Sequence, residues 1–129
     1  MISGCSHQAA TPPPGALAPG TAVLSIDGND VGTTYSVRCE SIDWMTRIHT
    51  DLHASNVSAM LSNAGTLKAQ FVRFQDVDGF TGSYEHALQG EASVTMTGST
   101  YRIVGAALGF NNAQPTKLKA ETFTVKVSC

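Results

Sequence analysis

The densest concentration of side chains able to do chemistry is "HTDLH", residues 49–53. On a strand, His49, Asp51 and His53 fall on one face, with neighbours about 6.6–7 Å apart. Two imidazoles and a carboxylate are acceptable Zn²⁺ ligands. Metal sites on strands more often use His-x-His pairs or gather ligands from several strands. The plainer reading puts the three residues on a solvated face, opposite Ile48 and Leu52, so no cofactor is expected. "DVDGF" (76–80) has the D-x-D-G look of a calcium loop, and Glu85 stands six residues after Gly79. A full EF-hand needs flanking helices, and a tight turn with Gly79 at positive φ explains the same residues. Many serines and four histidines are present. There is no G-x-S-x-G elbow, no phosphate-binding glycine loop, and no spacing that singles out a triad. Glu85 and His86 sit in a glycine-rich stretch that reads as a solvent-exposed loop. No catalytic residue is expected, and the ligand-binding residues are unknown at this stage.

Composition narrows the classes further. Eight basic residues against ten acidic ones give a formal net charge of −2. Such a chain lacks the basic face that nucleic-acid binding requires, so no nucleic acid is expected as a partner. Only 14% of residues are charged, and Gly, Ser, Thr, Ala and Val are abundant, which suits strands and turns. No apolar run reaches the length of about 18 residues that a membrane-spanning helix needs.

The elements that would position these side chains follow from period-two runs beginning at Thr21. Residues 21–26, "TAVLSI", precede the hairpin-type turn "DGND". Residues 31–39 follow, with Tyr35, Val37 and Cys39 on one face. Further runs cover 44–52, 56–62, 66–77, 91–97, 101–110 and 120–129. In 44–52, Trp44, Ile48 and Leu52 share a face with Thr46 and Thr50. The last run places Phe123, Val125, Val127 and Cys129 together. Residues 66–77 are apolar on both faces: Leu67, Ala69 and Phe71 against Val72 and Phe74. Such a strand is central or lines a pocket. Residues 78–90 and 111–117 read as loops. About eight short strands without a convincing helix indicate an all-β fold, an antiparallel β-sandwich or partly open barrel. Phe71, Val72, Phe74, Phe80, Val104, Leu108 and Phe110 either build its core or line an apolar cavity.

Residues 1–20 differ from the rest. "HQAATPPPGALAPG" holds four of the five prolines and favours an extended tether of about 3 Å per residue. The domain division is therefore 1–20, an attachment segment and Pro/Ala-rich linker, and 21–129, the β-domain. Three cysteines occur, Cys5, Cys39 and Cys129. Cys39 and Cys129 each end a strand-like run on its apolar face, so a disulfide between them is the economical reading. Two buried free thiols are the alternative. The bond would close most of the domain into a loop, worth about 4 kcal/mol, and implies an oxidising compartment. Cys5 is then the odd cysteine. It follows "ISG", small residues of the kind found before a bacterial lipoprotein cleavage site, where the cysteine sulfur takes diacylglycerol. Each buried CH₂ of an acyl chain contributes about 0.8 kcal/mol, so two or three chains anchor firmly. Met1 stands four residues before Cys5, so either a basic and apolar leader begins about 15 to 25 codons upstream, the favoured reading, or the protein is not exported and Cys5 is an ordinary thiol.

With these features in place, the chain from about Ala22 to Cys129 resembles the mycobacterial 19 kDa lipoprotein antigen family. The matching pieces are "SGC", the Pro/Ala-rich linker, "VLSIDGND", the cysteine at 39, "VDGFTGSY", "GEASVTMTGSTYRIVGAALGF" and the closing "FTVKVSC". The likeness is patchy between residues 40 and 70, where "WMTRIHTDLH" departs from the family pattern. The resemblance implies an exported, acylated envelope protein, with Cys5 as the lipid site and Cys39–Cys129 as its disulfide. It implies an acylated N-terminus of the kind that host innate receptors sense, and carries no catalytic residue.

Three functional expectations follow. The first is a non-enzymatic lipoprotein held at the cell membrane or envelope by its acyl anchor, presenting a surface antigen or binding an envelope lipid or protein partner. A phage-borne version that masks an envelope receptor is a special case. The second is a lipid or glycolipid carrier with an apolar cavity. The third, less favoured, is a metal-dependent hydrolase using His49, Asp51 and His53.

Overall fold

A computed structural model describes residues 13–129. Cys5, the expected lipid site, lies outside the described residues. Those residues form strands and turns: β1 (Thr21–Ile26), β2 (Asn29–Thr34), β3 (Val37–Ile42), β4 (Met45–Leu52), β5 (Ser55–Ser62), β6 (Lys68–Val77), β7 (Phe80–Glu85), β8 (Glu91–Thr97), β9 (Thr100–Asn111) and β10 (Gln114–Ser128). All join one antiparallel sheet, in the order β2-β1-β10-β9-β7-β6-β5-β4-β3. Strand β9 branches: its first half pairs with β8 and its last four residues with β7. The all-β expectation holds, as a nearly closed barrel of ten strands rather than about eight.

The two extra strands have local causes. Residues 31–39 do not run as one strand. Tyr35 and Ser36 interrupt it, and the Thr34 hydroxyl accepts a hydrogen bond from the Ser36 N–H at 3.1 Å. Strands β2 and β3 then pass to opposite ends of the sheet. Tyr35 is consequently 80% exposed, not on the apolar face with Val37 and Cys39. The stretch 78–90 is not all loop either. Phe80 and Tyr84 point inward from β7 with Gly82 between them. A Cβ on Gly82 would lie 2.6 Å from both the Phe80 ring and the Leu108 carbonyl oxygen. The glycine that reads as a loop signal is there because the neighbouring strand comes too close for a side chain. At the other loop, β10 begins at Gln114, and its ladder with β9 skips from Gln114 to Lys119.

The two-faced apolarity of residues 66–77 also has a specific origin. Met60 pairs with Phe71, but Leu61 pairs with Ala69. Gln70 is the extra residue of a β-bulge, and a bulge switches the side-chain phase. Ala69 faces inward before it, Val72 and Phe74 after it, and Phe71 faces out. The core gathers inward residues from both halves of the sheet, including Leu24, Ile48, Leu61, Val72, Ile103 and Val127. Phe74 sits at its centre, with ring centroids 5.0 Å from Phe123 and 6.2 Å from Phe80. Of the seven residues considered for a cavity, Val72, Phe74 and Phe80 belong to this core. Phe71, Val104, Leu108 and Phe110 are half-buried, in outward phase on β6 and β9, and the seven do not converge on one space.

The sheet's two end strands, β2 and β3, share no ladder, and β2 instead approaches β4. Near the seam, the Thr34 hydroxyl donates to the Asp51 carbonyl at 2.6 Å and accepts from Thr50 at 3.2 Å. Leu52 lies against Gly32. Cys39 of β3 and Cys129, just beyond β10, are joined in a disulfide with Cα atoms 5.9 Å apart. Exposed strand edges invite pairing with other chains. Here a covalent bond and buried threonines draw the two ends of the sheet together.

Candidate interaction face

The outward side chains of β3 to β7 form one continuous face, and its order follows from register. One row reads Arg38, His49, Ser58, Arg73, Ser83 across five strands. The next reads Glu40, Arg47, Met60, Phe71, Glu85. At strand spacings of about 4.8 Å, the face is about 19 Å wide. On the inner side of the same strands lie Ile48, Val57, Ala59, Val72 and Phe74. Strict alternation thus places the charges, and the core on the reverse holds them in register.

Charges on the face are paired. Arg73 grips Glu85 in a two-pronged contact, Nε to Oε2 at 2.9 Å and Nη2 to Oε1 at 3.0 Å. The Arg73 guanidinium also lies over the Phe71 ring, 3.7 Å from its centroid, a favourable cation–π arrangement. The hydrogen bond from Arg73 holds the Glu85 carboxyl below the usual range; burial opposes this, and the Ser83 hydroxyl assists it. The same bond raises the guanidinium's own pKa. Arg47 faces Glu40 at 3.8 Å, and Arg38 faces Asp51 at 3.9 Å. Behind Glu85, burial pushes the Tyr84 phenol up; its hydroxyl donates to the Ala69 carbonyl at 3.2 Å.

The first row contains a contact that spacing alone did not reveal. His49 Nε2 lies 3.0 Å from Asp51 Oδ1, and His49 Nδ1 lies 3.1 Å from Ser58 Oγ. Carboxylate, imidazole and hydroxyl in sequence have the composition of an acyl-transfer triad. Two features separate this cluster from a working one. The imidazole meets the hydroxyl through Nδ1 rather than Nε2. Ser58 also sits mid-strand between β4 and β6, where backbone N–H groups are spent in the ladders. No pair of main-chain donors is left to hold an oxyanion. The cluster orders the polar face.

Of the weak metal candidates, His49 and Asp51 are brought together, but His53 is not beside them. It occupies the β4–β5 turn with φ of 56° and is exposed. Among the described residues no group of three or more His, Cys, Asp or Glu side chains is placed to hold a metal ion. The "DVDGF" segment is a bulge and tight turn, with Asp76, Asp78 and Gly79 at φ of 52°, 52° and 79°. Glu85 lies at the far end of β7, bound to Arg73. Two shallow hollows interrupt the face. One of about 410 Å³ is lined by Arg38, Glu40, Arg47 and His49. The other, of about 500 Å³, is lined by residues including Asn56, Ser58, Arg73, Phe74 and Glu85.

The chain is similar to known mycobacterial lipoproteins. The chain is 34% identical over 117 residues to lipoprotein LpqH of Mycobacterium tuberculosis (strain ATCC 25618 / H37Rv), covering 90% of this chain and 72% of that protein. It is 32% identical over 113 residues to lipoprotein LpqH of Mycobacterium avium, covering 87% and 70%. The family model described as Mycobacterium 19 kDa lipoprotein antigen matches residues 15–129. The chain belongs to the Mycobacterium 19 kDa lipoprotein antigen family.

Proposed function

We propose that this is a non-enzymatic cell-envelope lipoprotein, anchored through acylated Cys5, whose β3–β7 face is offered to an envelope or host partner. The observation that carries the reading is Cys5 behind "ISG" in a chain of a lipoprotein family. The charged rows supply what a recognition surface needs: fixed donors and acceptors on a rigid sheet, with guanidinium groups able to reorient toward carboxylate, phosphate or sugar hydroxyl groups. Acyl chains hold the protein at the membrane, and the proline-rich segment ties the domain to that anchor.

The test is expression in a mycobacterial host behind a lipoprotein leader, with a clickable palmitate analogue in the medium. The wild-type chain should take up label and fractionate with the envelope. Cys5→Ala should lose the label and appear in the soluble fraction. Equal labelling of both chains would end this reading. Native mass spectrometry of the acyl-free domain separates surface recognition from carriage: bound lipid in stoichiometric amount would replace the first by a lipid carrier.

A further inference from the structure

The large exposed apolar side chains are not evenly placed. Tyr35, Leu88 and Leu118 stand singly, as isolated surface hydrophobics do. Ile42 and Trp44 stand together on the β3–β4 hairpin tip, 67% and 58% exposed. The Trp44 carbonyl accepts the Asn63 N–H at 2.7 Å. Asn63 shares a small hollow of about 130 Å³ with Leu67, Met96 and Tyr101, and Met96 is 49% exposed. The β3–β4 tip, the β5–β6 loop and the β8–β9 hairpin thus lie at one end of the sheet, a pole whose exposed large apolar side chains are Ile42, Trp44 and Met96.

The tether arrives at this pole. The Leu17 N–H donates to Thr100 Oγ1 at 2.9 Å, and the Gly20 N–H to the Ser128 carbonyl at 2.8 Å. Pro13, the first described residue, lies beside Gly98 in the β8–β9 turn. Cys5 is eight residue steps further, a span of at most about 29 Å fully extended. A lipid anchor at Cys5 therefore keeps this pole close to the bilayer. A short tether also raises the local concentration of its two ends to the millimolar range, so a weak contact is enough.

We propose that the Ile42–Trp44 tip, with Met96 beside it, docks into the headgroup and upper acyl region of the membrane that holds the anchor. Tryptophan prefers this interface, with its ring in the apolar boundary and its N–H in the wet layer. Asp43, between Ile42 and Trp44, keeps the insertion shallow. The proposal rests on the reading of Cys5 as the lipid site.

Trp44 is the chain's one tryptophan, so its fluorescence reports the tip directly. The full chain is coupled through Cys5, with Cys39 and Cys129 held in their disulfide, to a maleimide lipid in phosphatidylcholine vesicles. Expected are a blue shift, loss of iodide quenching, and strong quenching when the vesicles carry brominated phosphatidylcholine. Ile42→Ser should reduce all three, with circular dichroism unchanged. Emission and iodide quenching identical to those of the uncoupled protein would overturn the proposal. So would a concentration-dependent blue shift in the uncoupled protein, which would mean that a second copy covers the tip. Chemical coupling supplies the anchor here, so failure of docking is distinguishable from failure of natural acylation, which the palmitate label reads.

Discussion

At the scale of single residues, the Arg73–Glu85 pair is the strongest polar contact of the outer face. Its two-pronged geometry lifts it above the usual exposed ion pair. Because the Glu85 pKa is lowered in the folded state, its contribution is full above the unfolded value near 4.5 and is lost as pH falls through the folded value. Glu85→Gln should cost about 1 kcal/mol at neutral pH. The gap from wild type should close at strongly acid pH, as read by urea midpoints across a pH series. A gap that persists in acid would assign the cost to packing instead. The sequence showed the parity of His49 with Asp51, because strand alternation is local. It did not show Ser58 beside His49, or Glu85 beside Arg73. Those contacts depend on which strand pairs with which and in what register, and nothing in "NVSAMLS" or "TGSYEHA" announces it.

At the scale of elements, β9 does the most unusual work, since two successive partners share one of its edges. Gly105 and Gly109 make this possible. A Cβ on Gly105 would stand 1.9 Å from the Glu91 carbonyl oxygen, and one on Gly109 would stand 2.1 Å from that of Thr81. Both obstacles are main-chain atoms of the paired strand, which cannot swing aside as a side chain can. Gly105→Ala should therefore cost at least about 2 kcal/mol by forcing the strands apart. An unchanged denaturation midpoint would show that β8 is free to yield. Strands whose inward apolar positions recur every second residue, such as Ala22, Leu24 and Ile26 of β1 or Val57, Ala59 and Leu61 of β5, were legible. The break at Tyr35 and Ser36 was not, because "TTYSV" is rich in strand-favouring residues. Strand β7 was missed because its glycine serves close approach rather than a turn. The bulge at Gln70 left a trace, the change of apolar face along β6, but that trace did not reveal its cause.

At the scale of the whole molecule, stability depends on how the incomplete barrel is held together. The Cys39–Cys129 bond spans 90 residues, and constraining so long a loop is worth about 4 kcal/mol on the chain-entropy model. Cys39→Ser should lower the unfolding free energy by about that amount, measured by urea denaturation of the variant with its remaining thiols kept reduced against the disulfide-bonded wild type. A loss below about 1 kcal/mol would mean that Thr34, Thr50 and the core hold the seam unaided. The pairing of the cysteines could be read in advance from where the two runs end, but the expected inward phase fails at Cys129, which is exposed beyond the last residue of β10. The pairing of β1 with β10 could not, since it joins strands at opposite ends of the sequence.

Seven of the nine connections between consecutive strands are two residues long, at 27–28, 35–36, 43–44, 53–54, 78–79, 98–99 and 112–113. A protease must draw a stretch of substrate into its cleft in extended form, and loops this short cannot reach. Asp27, Asp43, His53 and Asp78 in these turns are already wound to positive φ, further still from that shape. A protease would therefore be turned toward the two longer connections, 63–67 and 86–90, the second of which carries the exposed Leu88.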